Sequence, residues 1–211
     1  MSKLAPRPVR CDHDRPTDPT PTEVIDIGTP TDPGDQDPPA GPSHPDLSTS
    51  HPGLVLRELT EQHAHDYYAI LDRNRAHISR HGDHQDERRA TPDSVSDYFE
   101  APPDQNIRYG IWLNDRLIGR ADLNPVDPPR YSIGYWLDEE HTGRGYTTAA
   151  CAALIDYART ALDATDIFAG VTHGNAKSVA VLERLGFRPV ADLDTYTRFQ
   201  LSLTRPAGPR S

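Results

Sequence analysis

The chain has 211 residues, 35% of them hydrophobic and 26% charged, with 21 prolines and a formal net charge of -10. That length suits one domain with room for an appendage, since domains usually run to about 100–200 residues. The acidic balance argues against a nucleic-acid binder, whose Lys and Arg must neutralise phosphates, and suits a small or cationic substrate.

No apolar stretch reaches the ~18 residues that a membrane-spanning helix requires, and the start, Met1 to Pro8, has no apolar signal core. A soluble, cytoplasmic protein with no membrane partner is expected. Cys11 and Cys151 are too few for a disulfide framework or a thiolate metal cluster, so they read as one exposed thiol and one small helix residue.

In chain order, the first feature is a bias in proline. Twelve of the 21 prolines fall in residues 1–53, among Asp, Thr, Ser and Gly. Such a stretch lacks the apolar surface to offset backbone entropy of about 1–2 kcal/mol per residue. Residues 1–52 are expected to form a disordered tail, with a transient segment around Glu23–Ile27. The tail carries nine acids against four bases, so half of the net charge says little about the folded part.

From Leu54 the periodicity changes. Residues 54–59 read as a strand, and Thr60 caps a helix reaching about Ala76. Residues 77–91 are polar and loop-like, and Pro92 opens a helix ending near Glu100. Residues 107–113 and 117–123 flank an Asn114-Asp115 turn, which predicts a hairpin. Residues 131–137 form a strand, 145–162 an alanine-rich helix, 167–172 a strand, and 175–185 a helix stopped by Gly186. Residues 187–190 and 195–203 close the chain as two strands. A single α/β domain over 53–205 with a mixed sheet follows, with 206–211 as a flexible end.

The chemistry gathers where strand 131–137 turns into the long helix. Thr142-Gly143-Arg144-Gly145-Tyr146-Thr147 places two glycines and a cation at a helix N-terminus, where unpaired N–H groups and the positive dipole end favour phosphate. The nucleoside-triphosphate and dinucleotide fingerprints both fail here, because the required lysine and third glycine are missing. Another phosphate-bearing cofactor is implied.

Downstream lie Val171-Thr172-His173-Gly174-Asn175-Ala176-Lys177-Ser178 and Leu185-Gly186-Phe187. A Gly-x-Gly turn after a strand, then Asn-x-x-Ser opening a helix that ends in Leu-Gly-Phe, resembles the GNAT superfamily of acetyl-coenzyme A-dependent N-acyltransferases. The resemblance spans residues 54–203. Asp72 to Ile78 looks like the first-helix segment of the RimJ/RimL-type branch, where an Asn-Arg pair precedes a substrate-side loop.

The resemblance implies a mixed central sheet flanked by helices, with strands splayed at the acetyl-coenzyme A site. It puts the pyrophosphate on Thr142, Gly143, Arg144, Gly145, Tyr146 and Thr147. Thr142 and Thr147 depart from the family pattern, but backbone amides carry most of that binding. The pantetheine arm is expected to pair with main-chain groups near Trp136 and Leu137. Asn175, Lys177 and Ser178 would touch the cofactor, and Ser178 would protonate the departing thiolate. Read from the residues alone, Asn175 and Ser178 equally suit a helix cap. The acceptor side is expected to include Asn74, His77, Asp122 and Tyr135.

The glutamate and tyrosine that RimI-type relatives use as acid and base correspond here to Gly170 and Leu182, which cannot exchange protons. His173, Asp122, Glu139 and Glu140 are then the candidates to deprotonate the amine. His77, His81 and His84 invite a metal reading, but Gly82 interrupts any helix between them, and no metal is expected. The sequence thus predicts an enzyme, a monomer or homodimer, that acetylates a primary amine by direct attack. The amine would belong to a protein N-terminus, a small metabolite or an antibiotic. The alternative is an acyl-coenzyme A-binding interaction module with weakened turnover, suggested by Thr142, Thr147 and the missing glutamate. An aminoacyl-tRNA acceptor is disfavoured by the acidic charge.

Overall fold

The computed structural model describes residues 44–81, 84–100 and 106–203. The segment around Glu23–Ile27, Cys11 and the C-terminal residues 206–211 lie outside the described residues.

Eight strands form one sheet in the order β1-β2-β3-β4-β5-β6-β8-β7. They are β1 (Leu47–Ser48), β2 (Leu54–Glu58), β3 (Ile107–Leu113), β4 (Arg116–Asp127), β5 (Arg130–Leu137), β6 (Asp166–Thr172), β7 (Arg188–Asp192) and β8 (Tyr196–Ser202). The helices are α1 (Ala64–Ile78), α2 (Gln85–Arg89), α3 (Pro92–Glu100), α4 (Tyr146–Ala161) and α5 (Ala176–Arg184). The β3–β4 turn forms because Asn114 and Asp115 both adopt positive φ, 47° and 66°, as a two-residue hairpin turn with right-handed strand twist demands.

Each face of the sheet carries its own core. On one face the small residues Ala150, Cys151 and Ala158 let α4 approach closely, and Leu154 packs among Ile111, Leu123 and Ile167. On the other face α1 and α3 cover Trp112, Leu117 and Trp136. Tyr67, Ile70, Leu71 and Ile78 repeat at helical spacing, as an amphipathic helix must.

All strand pairs are antiparallel except β5–β6, and that contact is brief. Only Arg130↔Asp166, Tyr131↔Ile167 and Ser132↔Phe168 pair, although β5 continues to Leu137 and β6 to Thr172. Beyond that point β5 follows β4 as far as Gly119↔Leu137, while β6 follows β8 as far as Thr172↔Tyr196. Each strand is held by its own half-sheet, and a gap opens between the halves.

Three expectations need correction. The tail boundary at residue 52 falls inside packed chain: Leu47 pairs with Leu56, the His44 N–H donates to Glu58 Oε2 (3.0 Å), and the His44 ring bonds Tyr157 OH (2.9 Å). Composition misses this because an edge strand is held by its backbone and polar anchors more than by apolar area. Thr60 opens a short 3-10 turn, Glu61–His63, before α1, which runs on to Ile78. Within the stretch read as loop, Gln85–Arg89 forms α2, and Arg75 holds it through carbonyls of Glu87, Arg88 and Ala90.

Leu154 is fully enclosed beneath α4. Leu154→Ala is expected to destabilise the fold by about 2–5 kcal/mol, as lost burial plus a cavity, read from the urea unfolding midpoint.

Candidate functional site

A cavity of about 1260 Å³ occupies the gap and continues past both of its ends. Its floor is the diverging run Ile133–Leu137 on β5 and Ala169–Thr172 on β6. The wall also takes in the turn into α4, His77 in the last turn of α1, and Arg80 and His81 just beyond that helix.

Gly143 (φ 77°) and Gly145 (φ 82°) have left-handed backbone that L side chains adopt only at a cost. A Cβ on either would meet nothing within 4 Å, so backbone conformation, not crowding, demands glycine here. The result is an open cradle over the first N–H groups of a 16-residue helix, a place that suits an anion. Thr142 and Thr147 also line the cavity, and the Thr142 hydroxyl is used to donate to Glu139 O (2.9 Å). Tyr146 begins the helix, with the His51 ring packed edge-on against it at 4.7 Å. Arg144 is exposed between the glycines and stands outside the cavity wall.

The peptide groups offered to the gap follow from the ladder. The Asp138 N–H donates to Ile118 O (2.8 Å) on β4, and the Thr165 N–H donates to Pro129 O (3.0 Å) on the opposite side. By strict alternation, the peptide groups of Trp136 face β4 while those of Tyr135 and Leu137 face the gap. Trp136, expected to offer its main chain to the gap, turns those groups to β4, and the neighbouring Tyr135 and Leu137 leave theirs open. Trp136 lines the cavity, and its ring packs edge-on against Tyr67 in the core beneath α1.

Across the gap, Asn175 is the N-cap of α5, and its Oδ1 accepts from the Ser178 N–H (3.2 Å). The capping role is thus realised, and Asn175, Lys177 and Ser178 still line the cavity. Tyr135 OH reaches over from β5 and donates to the Ser178 carbonyl (3.3 Å), tying the start of α5 to the gap. His173 is not part of this group. Its Nε2 lies 2.9 Å from Asp192 Oδ1, which also accepts from Thr197, so the ring is held at β7 and β8 and away from the cavity. A strand-end residue alternates with its neighbours, and Thr172 and Gly174 line the cavity where His173 does not.

Two further expected substrate residues lie beneath the wall. Asn74 is buried and holds the turn after β5: its Nδ2 donates to Asp138 Oδ1 (2.9 Å), and its Oδ1 accepts from the Glu139 N–H (2.9 Å). Asp122 is buried beside Arg120, with Nε 2.8 Å from its Oδ2, and Arg120 also meets Glu87 (3.0 Å) and Tyr67 OH (2.7 Å). Burial raises the Asp122 pKa, against the charges of Arg120 and Arg108. Its carboxylate is a packed counter-ion, not a wall group.

Sequence reasoning missed Asp138. This carboxylate is 1% exposed and collects Arg73 Nη2 (2.7 Å), Asn74 and His141 Nδ1 (3.2 Å). Burial alone would raise its pKa, but the hydrogen bonds from Arg73 and Asn74 and the Arg73 charge hold it below the usual carboxylate value. The signal was an acid ending a strand with a histidine three places on. Its partners on α1 are distant in sequence.

Among the described residues no Asp or Glu lines the cavity. Its charged side chains are Arg80, Lys177 and Arg184, with His51, His77, His81 and His84. No group of three or more potential ligands is placed to hold a metal ion among those residues.

Residues 53–188 match the family model described as an acetyltransferase (GNAT) domain. The chain belongs to the GNAT acetyltransferase family. The probable N-acetyltransferase YjcK of Bacillus subtilis (strain 168) is 38% identical over 99 residues, covering 44% of this chain and 55% of that protein. The chain spans about half the length of the first curated relatives it matches. The GNAT fold is shared with the solved RimL ribosomal L7/L12 alpha-N-protein acetyltransferase in complex with coenzyme A (TM-score 0.68, 19% identity, 75% of this chain and 98% of that one). It is shared as well with spermidine N-acetyltransferase from Vibrio cholerae in complex with coenzyme A and spermine (TM-score 0.63, 18% identity, 72% and 96%). In this GNAT domain the matched segment begins after β1, so Ser50 and His51 are cavity residues outside it.

A depressed carboxyl stabilises the fold above its unfolded pKa of 3.8 and loses that contribution as pH falls through the lower folded value. Asp138→Asn is expected to cost about 2–3 kcal/mol at pH 7, the range for hydrogen bonds to a charged group. The deficit should shrink as pH drops below 3.8, measured by urea unfolding across that range.

Proposed function

We propose that this protein transfers the acetyl group of acetyl-coenzyme A to a primary amine by direct attack. The observation that carries this is the end of β5–β6 pairing at Ser132–Phe168, which opens a gap leading to the Gly143–Gly145 cradle. The cradle fits a diphosphate through backbone N–H groups and the helix dipole. The gap-facing peptide groups of Tyr135 and Leu137 fit an extended arm that pairs as a strand would.

Acetyl-coenzyme A supplies the activated acyl carbonyl. The residues do the rest: gap-facing N–H groups on β5 hold the developing oxyanion, and the Ser178 hydroxyl meets the departing sulfur. Placing amine and thioester side by side contributes up to about 7–11 kcal/mol. Cys151 is no alternative nucleophile, because burial on the core face of α4 pushes its thiol up and keeps it protonated.

The acceptor is an amine of either class that fold neighbours are named for, a protein α-amino group or a small amine-bearing molecule. The test is incubation with acetyl-coenzyme A and pooled amines, following free thiol and products heavier by one acetyl group. Binding without turnover across the panel would overturn the proposal.

Gly145→Val forces a branched residue into left-handed backbone, at about 1–2 kcal/mol or more, and fills the cradle. Coenzyme A affinity by calorimetry should fall at least tenfold. Ser178→Ala should bind coenzyme A like the wild type while kcat drops about 100-fold, the usual scale for one proton-transfer group.

A further inference from the structure

We propose that His77 is the general base of this site: its Nε2 takes a proton from the acceptor's ammonium group while Glu139 orients the ring. This rests on the acetyl transfer proposed above. An alkylammonium has no lone pair for the thioester, so a group in the wall has to accept its proton.

The wall has no carboxylate among the described residues, which leaves imidazoles as the proton acceptors near neutral pH. Four line the cavity. His51 packs on Tyr146 at the cradle end, remote from the acyl end of a carrier bound there. His84 sits 3.6 Å from Glu87 Oε1 at the start of α2, and His81 lies past the end of α1. His77 occupies the last turn of α1, with its side chain only 16% exposed.

Its orientation follows from its surroundings. Nδ1 is enclosed and makes no hydrogen bond in this arrangement; Glu139 Oε1 lies 3.4 Å away, at ion-pair distance, and is also held by Arg80 Nη2 at 2.8 Å. A proton on Nδ1 directed at that carboxylate leaves the Nε2 lone pair for the cavity. The charged groups facing the ring are Glu139 from the turn after β5, Arg80 from beyond its own helix, and Lys177 from α5. Burial lowers its pKa most, Glu139 opposes, and Arg80 and Lys177 lower it further. The net effect is a lowered pKa, which favours the neutral ring.

The proton count closes. Nε2 takes one proton from R–NH3+ and becomes imidazolium. The amine nitrogen then bonds to the acyl carbon, the C–S bond breaks, the Ser178 hydroxyl gives its proton to the thiolate, and the surplus proton on nitrogen restores the Ser178 hydroxyl. The imidazolium returns its proton to water.

The test is the pH profile of kcat/KM for wild type, His77→Gln and Glu139→Gln with an amine acceptor found by the thiol-release assay. Wild type should show an acidic limb, displaced to lower pH than that of a free imidazole. His77→Gln should lose at least 100-fold in kcat/KM and lose that limb, while still binding coenzyme A. Glu139→Gln should move the limb to lower pH, since removing the anion leaves Arg80 and Lys177 to disfavour the imidazolium. An unshifted limb in active His77→Gln overturns this inference and leaves acetyl transfer standing. A wild type that acetylates no amine overturns both.

Discussion

The site depends on a ladder that stops. Three residue pairs join β5 to β6 in parallel, and past them each strand stays with the antiparallel neighbour on its far side. Antiparallel pairing on both flanks is what keeps the two strands apart, because neither can bend toward the other without abandoning a longer set of hydrogen bonds. The peptide groups so left over, at Tyr135 and Leu137, belong to the central sheet. A binding surface made of backbone in this way depends little on side-chain identity.

The loop between β5 and α4 is secured separately. Asp138 and Asn74 form a buried joint between α1 and that loop, with Glu139 and His141 hung from it. Glu139 meets both sides of it, with its carboxylate 3.4 Å from His77 Nδ1 and its carbonyl accepting from Thr142 at the start of the cradle. The position of the phosphate-binding turn and the position of the imidazole are therefore set by one polar cluster, and both move if it is broken.

Local order was legible in the sequence wherever short-range rules apply. The Asn114-Asp115 turn, the Pro92 helix start, the Gly-flanked opening of α4 and the Asn175 cap all follow from backbone preferences of single residues, and the structure keeps each of them. Side-chain partnerships across the chain were not legible. Asn74, Asp122 and His173 were expected at the cavity, and each instead satisfies a partner far away in sequence, Asp138, Arg120 or Asp192. A polar residue near a site in sequence can serve a buried charge as readily as a substrate, and only packing decides which.

The borders of the sheet show a contrast with its middle. At one border β1 is two residues long and bounded by Pro45 and Pro52, and at the other β7 carries Pro189 and a register shift beside it. Proline and irregular pairing blunt an edge against strand addition by another molecule. Among the described residues, the interior seam is then the place best suited to accept an extended guest. An architecture that discourages self-association along its rims reserves its spare hydrogen-bonding capacity for a single internal slot.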